Sequence, residues 1–222
     1  MTLRSSLIDR IWNGNDPFVG LPKGLFRPDL QGWNSHHQYL ADAIQSVRPQ
    51  VIVEIGVWKG VSSIHMANLL RQQGIDGAVI AVDTWLGASD HWTHQDWFSS
   101  LLIEHGQPMM MRTFMANVVE SGSQDIIVPL PLDSVNAAEV FKFYGLKVDM
   151  LHIDAGHEYG SVIADLRAWW PLLRKDGILI GDDYYEGPEW PGLRRAYDEF
   201  FGEMNIMAPL ENFQAKCRVM KR

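Results

Sequence analysis

At 222 residues, with a formal net charge of −8, 46% apolar and 21% charged residues, the chain has the size and balance of one globular α/β domain. The negative charge gives a phosphate-backbone partner no electrostatic support, so no nucleic acid is expected, and a lone cysteine, Cys217, excludes an internal disulfide and a cysteine-built zinc site. No apolar run reaches the length of a membrane span and the opening MTLRSSLIDR lacks a signal-peptide core, so a cytoplasmic location without a membrane partner is the expectation.

Leu3 to Trp12 reads as a short amphipathic helix with Leu3, Leu7, Ile8 and Ile11 on one stripe. Asn13 to Trp33 holds four glycines and three prolines and reads as an extended arm. Residues 1–33 are therefore expected as an N-terminal arm that could pack on a second subunit of a homo-oligomer, and residues 34–222 as a single domain. Asn34 or Ser35 can cap a helix running to Val47, closed by Pro49 and expected to cover the mouth of a site. His36 and His37 fall at its start, either as surface histidines or as contacts to a bound molecule.

The organising stretch follows, VIVEIGVWKG at 51–60. Val51, Ile52, Val53 and Ile55 suit a strand buried on both faces, interrupted by Glu54, a carboxylate that is costly to bury unpaired. Gly56 and Gly60 bracket a short step into a helix with Val61, Ile64 and Ala67 at helical spacing. Strand, glycine turn and helix open a nucleotide-type site, because the glycines let the backbone pass close to a ligand and the helix offers unpaired N–H groups. The spacing is neither the dinucleotide G-x-G-x-x-G nor a P-loop.

AVIAVD is the second strand, ending at Asp83, where a carboxylate in such a unit holds ribose hydroxyls. TWLGASDHWTHQDWF, residues 84–98, is too long and too aromatic for a plain connection and reads as a lid or acceptor pocket. It carries Trp85, Trp92 and Trp97 with His91 and His94, a pair also spaced like metal ligands. Helical pieces are expected at Gln95–His105 and Met109–Ser121. DIIVPLPLD is the third strand, with Asp133 and Ser134 just past it, placed either to bond an adenine amine or to cap the helix from Val135 to Phe143. VDMLHID is the fourth strand, ending at Asp154, and AGHEYG leads into a helix with one of Trp169 and Trp170 in the core. RKDG reads as a turn before the fifth strand, ILIGDD, which finishes at Asp182 and Asp183. EGPEWPG is a second lid-like stretch, Pro191 opens a helix through Phe201, and NIMAPLENFQAKCRVMKR reads as two strands around a turn.

The E-x-G-x-x-x-G turn resembles the first motif of class I S-adenosylmethionine-dependent methyltransferases. The phrases EIGVWKG, AVDTWLG, LHIDAGHEY and DLRAWWPLLRKDGILIGDDY, in that order, resemble the branch that includes macrocin-type sugar O-methyltransferases and proteins called cephalosporin hydroxylase-like. The match runs from Trp33 to Tyr185. It implies a Rossmann-like fold: a mostly parallel seven-stranded sheet, helices on both faces, and an antiparallel closing strand. It also implies S-adenosylmethionine as cofactor, Mg²⁺ or another divalent cation, and a small-molecule hydroxyl acceptor (a sugar, glycoside, phenol or catechol). Glu54, Gly56, Gly60 and Asp83, with Asp133 and Ser134, would hold the cofactor.

In that fold the fourth and fifth strands are neighbours, about 4.8 Å apart, so the carboxylates of Asp154, Asp182 and Asp183 converge. Their mutual repulsion is what a hard cation relieves. His157, three residues beyond Asp154, is the expected general base, with Asp154 able to share that role. The pocket is expected between Asp83, Trp92 and Asp182. The competing classes, an NAD-type oxidoreductase and a non-catalytic binding protein on the same scaffold, predict a G-x-G-x-x-G turn and an eroded set of acidic residues respectively, and neither is found.

Overall fold

The computed structural model describes every residue except Glu186 and 205–210. The first residue of the second lid-like stretch and the opening of the expected tail hairpin thus lie outside the described residues. In chain order the elements are α1 (Leu3–Ile11), α2 (Gln38–Val47), β1 (Val51–Ile55), α3 (Val61–Gln72), β2 (Ala78–Val82), α4 (Ser89–Thr93), α5 (Gln95–Phe98), α6 (Met110–Glu120), β3 (Ile127–Leu130), α7 (Ser134–Phe143), β4 (Val148–Ile153), α8 (Tyr159–Trp169), β5 (Leu173–Gly181), α9 (Leu193–Glu203), β6 (Glu211–Phe213) and β7 (Lys216–Met220). The seven strands form one sheet in the order β3-β2-β1-β4-β5-β7-β6. β1 to β5 run parallel, and β7 returns antiparallel between β5 and β6. This is the expected Rossmann-like, mostly parallel sheet with an antiparallel close.

Two apolar layers sandwich the sheet, as parallel strands require. Val53, Ile80, Leu151 and Leu179 face one layer, closed by α7, α8 and α9. Ile52, Val79, Met150 and Ile180 face the other, closed by α2, α3 and α6. No described helix is long and apolar enough to cross a membrane. Trp169 and Trp170 are both core residues, where one was expected. Trp169 meets Phe141 edge-on at 5.0 Å, and Trp170 packs against Phe201 at 5.3 Å.

RKDG makes the expected turn within β5, which begins at Leu173: the pairing with β4 jumps from Val148–Leu173 to Met150–Ile178, and Asp176 takes φ +61°. Asp149, opposite that break, accepts the N–H groups of Gln50 (2.7 Å) and Val51 (2.8 Å) and pairs with Arg174. Two local expectations need correcting. The cap of α2 is His37, not Asn34 or Ser35: its Nδ1 accepts the Tyr39 N–H at 3.0 Å and its Nε2 donates to the Phe213 carbonyl at 2.9 Å. The expected helix from Gln95 to His105 stops at Phe98, followed by one 3₁₀ turn over Ser99–Leu101.

The start of the segment before Trp33, α1 and Trp12, lies against β3 of its own sheet. Arg4 donates from Nε to the Ile127 carbonyl (3.0 Å) and Trp12 from Nε1 to the Pro129 carbonyl (2.9 Å), both on β3. Arg4 also grips Asp16 through both guanidinium arms at 2.6 and 2.9 Å, which holds the Asp16 carboxyl below its usual range against the effect of burial.

Candidate active site

Two adjoining cavities open at the carboxyl ends of the strands, the usual place for a ligand in an open α/β sheet. One, of about 270 Å³, lies over β1 to β3 and is lined by Asp83, Asp133, Ser134, Gly156, Ser161 and Asp165 among others. The other, of about 250 Å³, lies over β4 and β5 and is walled by Trp33, Trp58, Trp97, Trp190, His157, Asp182 and Asp183 among others. Gly56, Trp58, Ala88, His91, Asp154 and Ala155 line both. Gln31 to Ser35 line the second cavity and no residue of α2 does, although α2 was expected to cover it.

The turn after β1 is built differently from the simple glycine cradle. Gly56 has φ +79°, and a Cβ there would sit 1.9 Å from the Asp154 carbonyl oxygen, so the glycine lets β1 and β4 approach at their ends. Gly60 has φ +87°, and a Cβ there would meet the Phe114 ring at 2.6 Å. Neither requirement comes from a ligand. Glu54, expected as a cofactor contact, lies wholly buried behind the turn: its Oε1 takes the His152 Nδ1–H at 2.9 Å, and its Oε2 takes the Ser63 hydroxyl. Glu54 and His152 stand opposite each other in the β1–β4 register, which is why they pair.

Asp83 reaches the first cavity and also holds the turn. One oxygen accepts the N–H groups of Val57 (2.8 Å) and Trp58 (2.9 Å), the other that of Trp85 (2.7 Å). Burial raises its proton affinity, and these three bonds only partly offset it. Asp133 caps α7, accepting the Asn136 N–H at 2.9 Å, and still lines the cavity, so the two roles considered for it are compatible. Ser134 accepts Trp169 Nε1–H at 2.9 Å and donates to Asp165. Asp165 was not singled out in the sequence. It is buried in α8, one turn beyond Ser161, and burial pushes its carboxyl up to about 6 against the Ser134 hydrogen bond.

The strand-end carboxylates converge as the topology requires, but not as a symmetric trio. Asp154 and Asp182 lie together with His152, one donor atom of each within 4.8 Å of the others, the one such cluster among the described residues. Burial first, then the Asp182 charge, raises the Asp154 carboxyl well above its usual range. Burial would do the same to Asp182, but the ammonium of Lys216 and then His152 outweigh it and hold Asp182 low. Lys216, on β7, is fully buried, pairs with Asp182 and donates to His152 Nε2 at 3.2 Å. Ser63, Glu54, His152, Lys216 and Asp182 thus form one buried polar chain linking α3 to the second cavity. Both nitrogens of His152 are used within it.

Asp183 turns the other way. Its Oδ2 lies 3.1 Å from His157 Nε2, while His157 Nδ1 lies 3.4 Å from Asp90 and the ring stacks on Trp190 at 4.0 Å. Burial opposes charge on His157, but the two carboxylates prevail and raise its pKa. In the aromatic loop, Trp97 and His91 reach the cavity, His91 packing tilted against Trp58 at 4.4 Å. Trp85 is core, its Nε1 donating to the Trp58 carbonyl at 2.9 Å. Trp92, expected at the pocket, is half exposed and bonds back to Leu86 at 2.9 Å. His91 and His94 form no metal cluster, since the His91 Nδ1 lone pair takes the Ala88 N–H and His94 packs on Trp97.

Asp154 and Asp182 bring carboxylate oxygens close enough together to suit a divalent cation, with Lys216 neutralising one charge from behind. Asp183 lines the same cavity, but its Oδ2 is turned to His157 and it is not part of that cluster.

Comparison with known proteins places this geometry. A family model described as a methyltransferase domain matches residues 53–184, more than half of the chain. Among curated proteins, the uncharacterized protein y4gI of Sinorhizobium fredii is 23% identical over 167 residues, and the chain spans about one sixth of its length. Among solved structures, the O-methyltransferase NovP superposes with TM-score 0.59 at 21% identity, over 83% of this chain and 78% of that one. The calicheamicin methyltransferase CalS11 gives 0.58 at 20%, over 82% and 76%. An O-methyltransferase from Bacillus cereus in complex with SAH gives 0.56 at 16%, over 99% and 98%. These likenesses show a shared fold, and together with the family match they identify the chain as a member of the methyltransferase-domain family.

Proposed function

We propose that the protein transfers a methyl group from S-adenosylmethionine to a hydroxyl of a small molecule, with a divalent cation at the acceptor side. The observation that carries this reading is the shared wall: a nucleoside-type cavity over β1 to β3 and a second cavity over β4 and β5 meet at Gly56, Asp154 and Ala155. A methyl donor in the first and a hydroxyl in the second would face each other there. S-adenosylmethionine, when bound, would supply a sulfonium methyl, the C–O bond forming as the C–S bond breaks and its electron pair returning to sulfur. Asp83 and Asp133 would hold the nucleoside. Mg²⁺ would be held by Asp154 and Asp182, with Asp183 lining the same cavity, and would supply polarisation of the hydroxyl.

The proton is assigned to Asp154. It is the carboxylate common to both cavities. His157, the base expected from sequence, has both nitrogens turned to carboxylates and so no lone pair free for the acceptor. Its part is to hold Asp183 and the α4 loop through Asp90. A cytoplasmic location goes with this reading, and the charge of −8 favours a small acceptor over nucleic acid.

Calorimetric titration with S-adenosylhomocysteine, with and without Mg²⁺, tests the cofactor and the cation. Binding of S-adenosylhomocysteine is expected, and absence of heat or melting shift at millimolar ligand refutes the methyltransfer reading. Once an acceptor is found, Asp154→Asn should lower turnover about 10²–10⁴-fold and His157→Gln far less. The reverse order would return the base to His157.

A further inference from the structure

Lys216 stands between the candidate cation site and an imidazole that could join it. Its ammonium is fully buried on β7 and pairs with Asp182 Oδ2. The same ammonium donates to His152 Nε2 at 3.2 Å. On the other side of the ring, His152 Nδ1 gives its proton to Glu54 Oε1 at 2.9 Å. That bond fixes the tautomer, so the imidazole lone pair is on Nε2, and Lys216 occupies it. Glu54 and His152 face each other in the β1–β4 register and are both excluded from solvent, which holds the ring in this orientation.

By position this imidazole belongs to the site. One donor atom each of His152, Asp154 and Asp182 lies within 4.8 Å of the others. A carboxylate behind Nδ1 is also the usual backing of a metal-ligating histidine. An imidazole with two carboxylates suits first-row transition metals, whereas carboxylates alone suit Mg²⁺. The three side chains are thus a transition-metal ligand set with its nitrogen withheld. His157 does not replace that nitrogen: its Nε2 lies 3.1 Å from Asp183 and its Nδ1 3.4 Å from Asp90. The ammonium of Lys216 also offsets one of the two carboxylate charges, and affinity for a hard cation follows the charge of its ligands.

We propose, resting on the divalent-cation reading above, that Lys216 decides which cation the site takes. By holding the His152 lone pair and one oxygen of Asp182, it keeps the site all-oxygen and weakly charged, open to Mg²⁺ and closed to metals that favour nitrogen. Transition metals outbind Mg²⁺ at mixed nitrogen and oxygen sites, so a site that offered His152 would fill with the wrong ion.

The test uses the full chain with S-adenosylhomocysteine present. Bound Mn²⁺ is examined by pulsed electron paramagnetic resonance, and Co²⁺ is titrated in competition with Mg²⁺. In the parent, Mn²⁺ should bind without coupling to an imidazole nitrogen. In Lys216→Met, the freed Nε2 should produce that coupling, and the preference for Co²⁺ over Mg²⁺ should rise at least about tenfold. Adding His152→Gln to this variant should abolish both effects, which a general loosening of the fold would not do. Imidazole coupling in the parent overturns the proposal, and this measurement stands even where Lys216→Met does not fold. So does a folded Lys216→Met that binds Mn²⁺ with the parental Co²⁺ to Mg²⁺ preference, or a gain that survives His152→Gln. If S-adenosylhomocysteine binds and Mn²⁺ does not, the cation reading falls and this proposal falls with it. If Mn²⁺ binds and S-adenosylhomocysteine does not, the methyltransferase reading falls alone, and the coupling still decides the part of Lys216.

Discussion

The buried pair of Lys216 and Asp182 can be taken apart one charge at a time. Lys216 is wholly excluded from solvent and Asp182 is 7% exposed. Lys216→Met keeps the length and apolar stem of the side chain but leaves Asp182 without its main counter-charge. Breaking a buried pair from one side costs about 3–5 kcal/mol, because the remaining charge is desolvated and unpaired. With a urea slope of about 2–3 kcal/mol per molar, the unfolding midpoint should fall by roughly 1–2.5 M. The nine tryptophans provide the fluorescence signal. The loss should depend on pH in a definite sense. In the parent the Asp182 carboxyl is held below its unfolded value, so it contributes stability above the ordinary carboxylate range and loses it as pH falls through its folded pKa. In the variant, burial would lift that pKa, so the penalty is greatest near neutrality and shrinks as the carboxyl takes up a proton. Lys216→Met with Asp182→Asn removes both charges and should recover much of the loss. A single-variant cost below about 1 kcal/mol, or a cost that does not change between pH 5 and pH 8, would refute this account of the chain from Glu54 to Asp182.

Asp165 makes the opposite pH prediction. Its folded pKa of about 6 lies above the unfolded value, so its contribution is complete below the unfolded pKa and is lost as pH rises through about 6. The shift of about two units corresponds to roughly 3 kcal/mol; Asp165→Asn should flatten the fall in stability between pH 4 and 7, and an unchanged profile would contradict it. Gly56→Ala should cost more than about 2 kcal/mol, from strain at positive φ together with collision on the Asp154 carbonyl. Gly74→Ala, at φ +60° with nothing within 4 Å, should cost only about 1–2 kcal/mol. Equal melting temperatures for the two glycine variants would remove the close-approach argument.

What was legible in the sequence was what depends on periodicity and chain order. Apolar runs gave the strands, and parallel strands carry their carboxyl ends to one side, so Asp83, Asp154, Asp182 and Asp183 were found beside the cavities. What was not legible came from long-range pairing. Lys216 and His152 stand 64 residues apart and meet only because β7 inserts beside β5. Each did leave a trace, a charged or polar residue inside an apolar strand, as Asp165 did on the apolar side of α8. Glu54 looked like a ligand contact because a strand-end carboxylate beside a glycine turn carries no mark of its partners. Trp33 and Trp190 join Trp58 and Trp97 across loops whose course local pattern does not determine.

The contact of α1 with β3 bears on self-association. β3 is an outer strand, and an unpaired strand flank is a template on which another chain can add. Here every hydrogen-bonding group along that flank is spoken for. The Ile127 N–H is taken by the Ser123 carbonyl at 3.0 Å and the Ile127 carbonyl by Arg4. Pro129 has no N–H to offer, and its carbonyl is taken by Trp12. The segment expected to reach toward a second subunit therefore shuts this flank to strand addition by any copy of the chain. Removing residues 1–12 should reopen it as a point of aggregation, one that the catalytic face on the other side of the strand ends would not reveal.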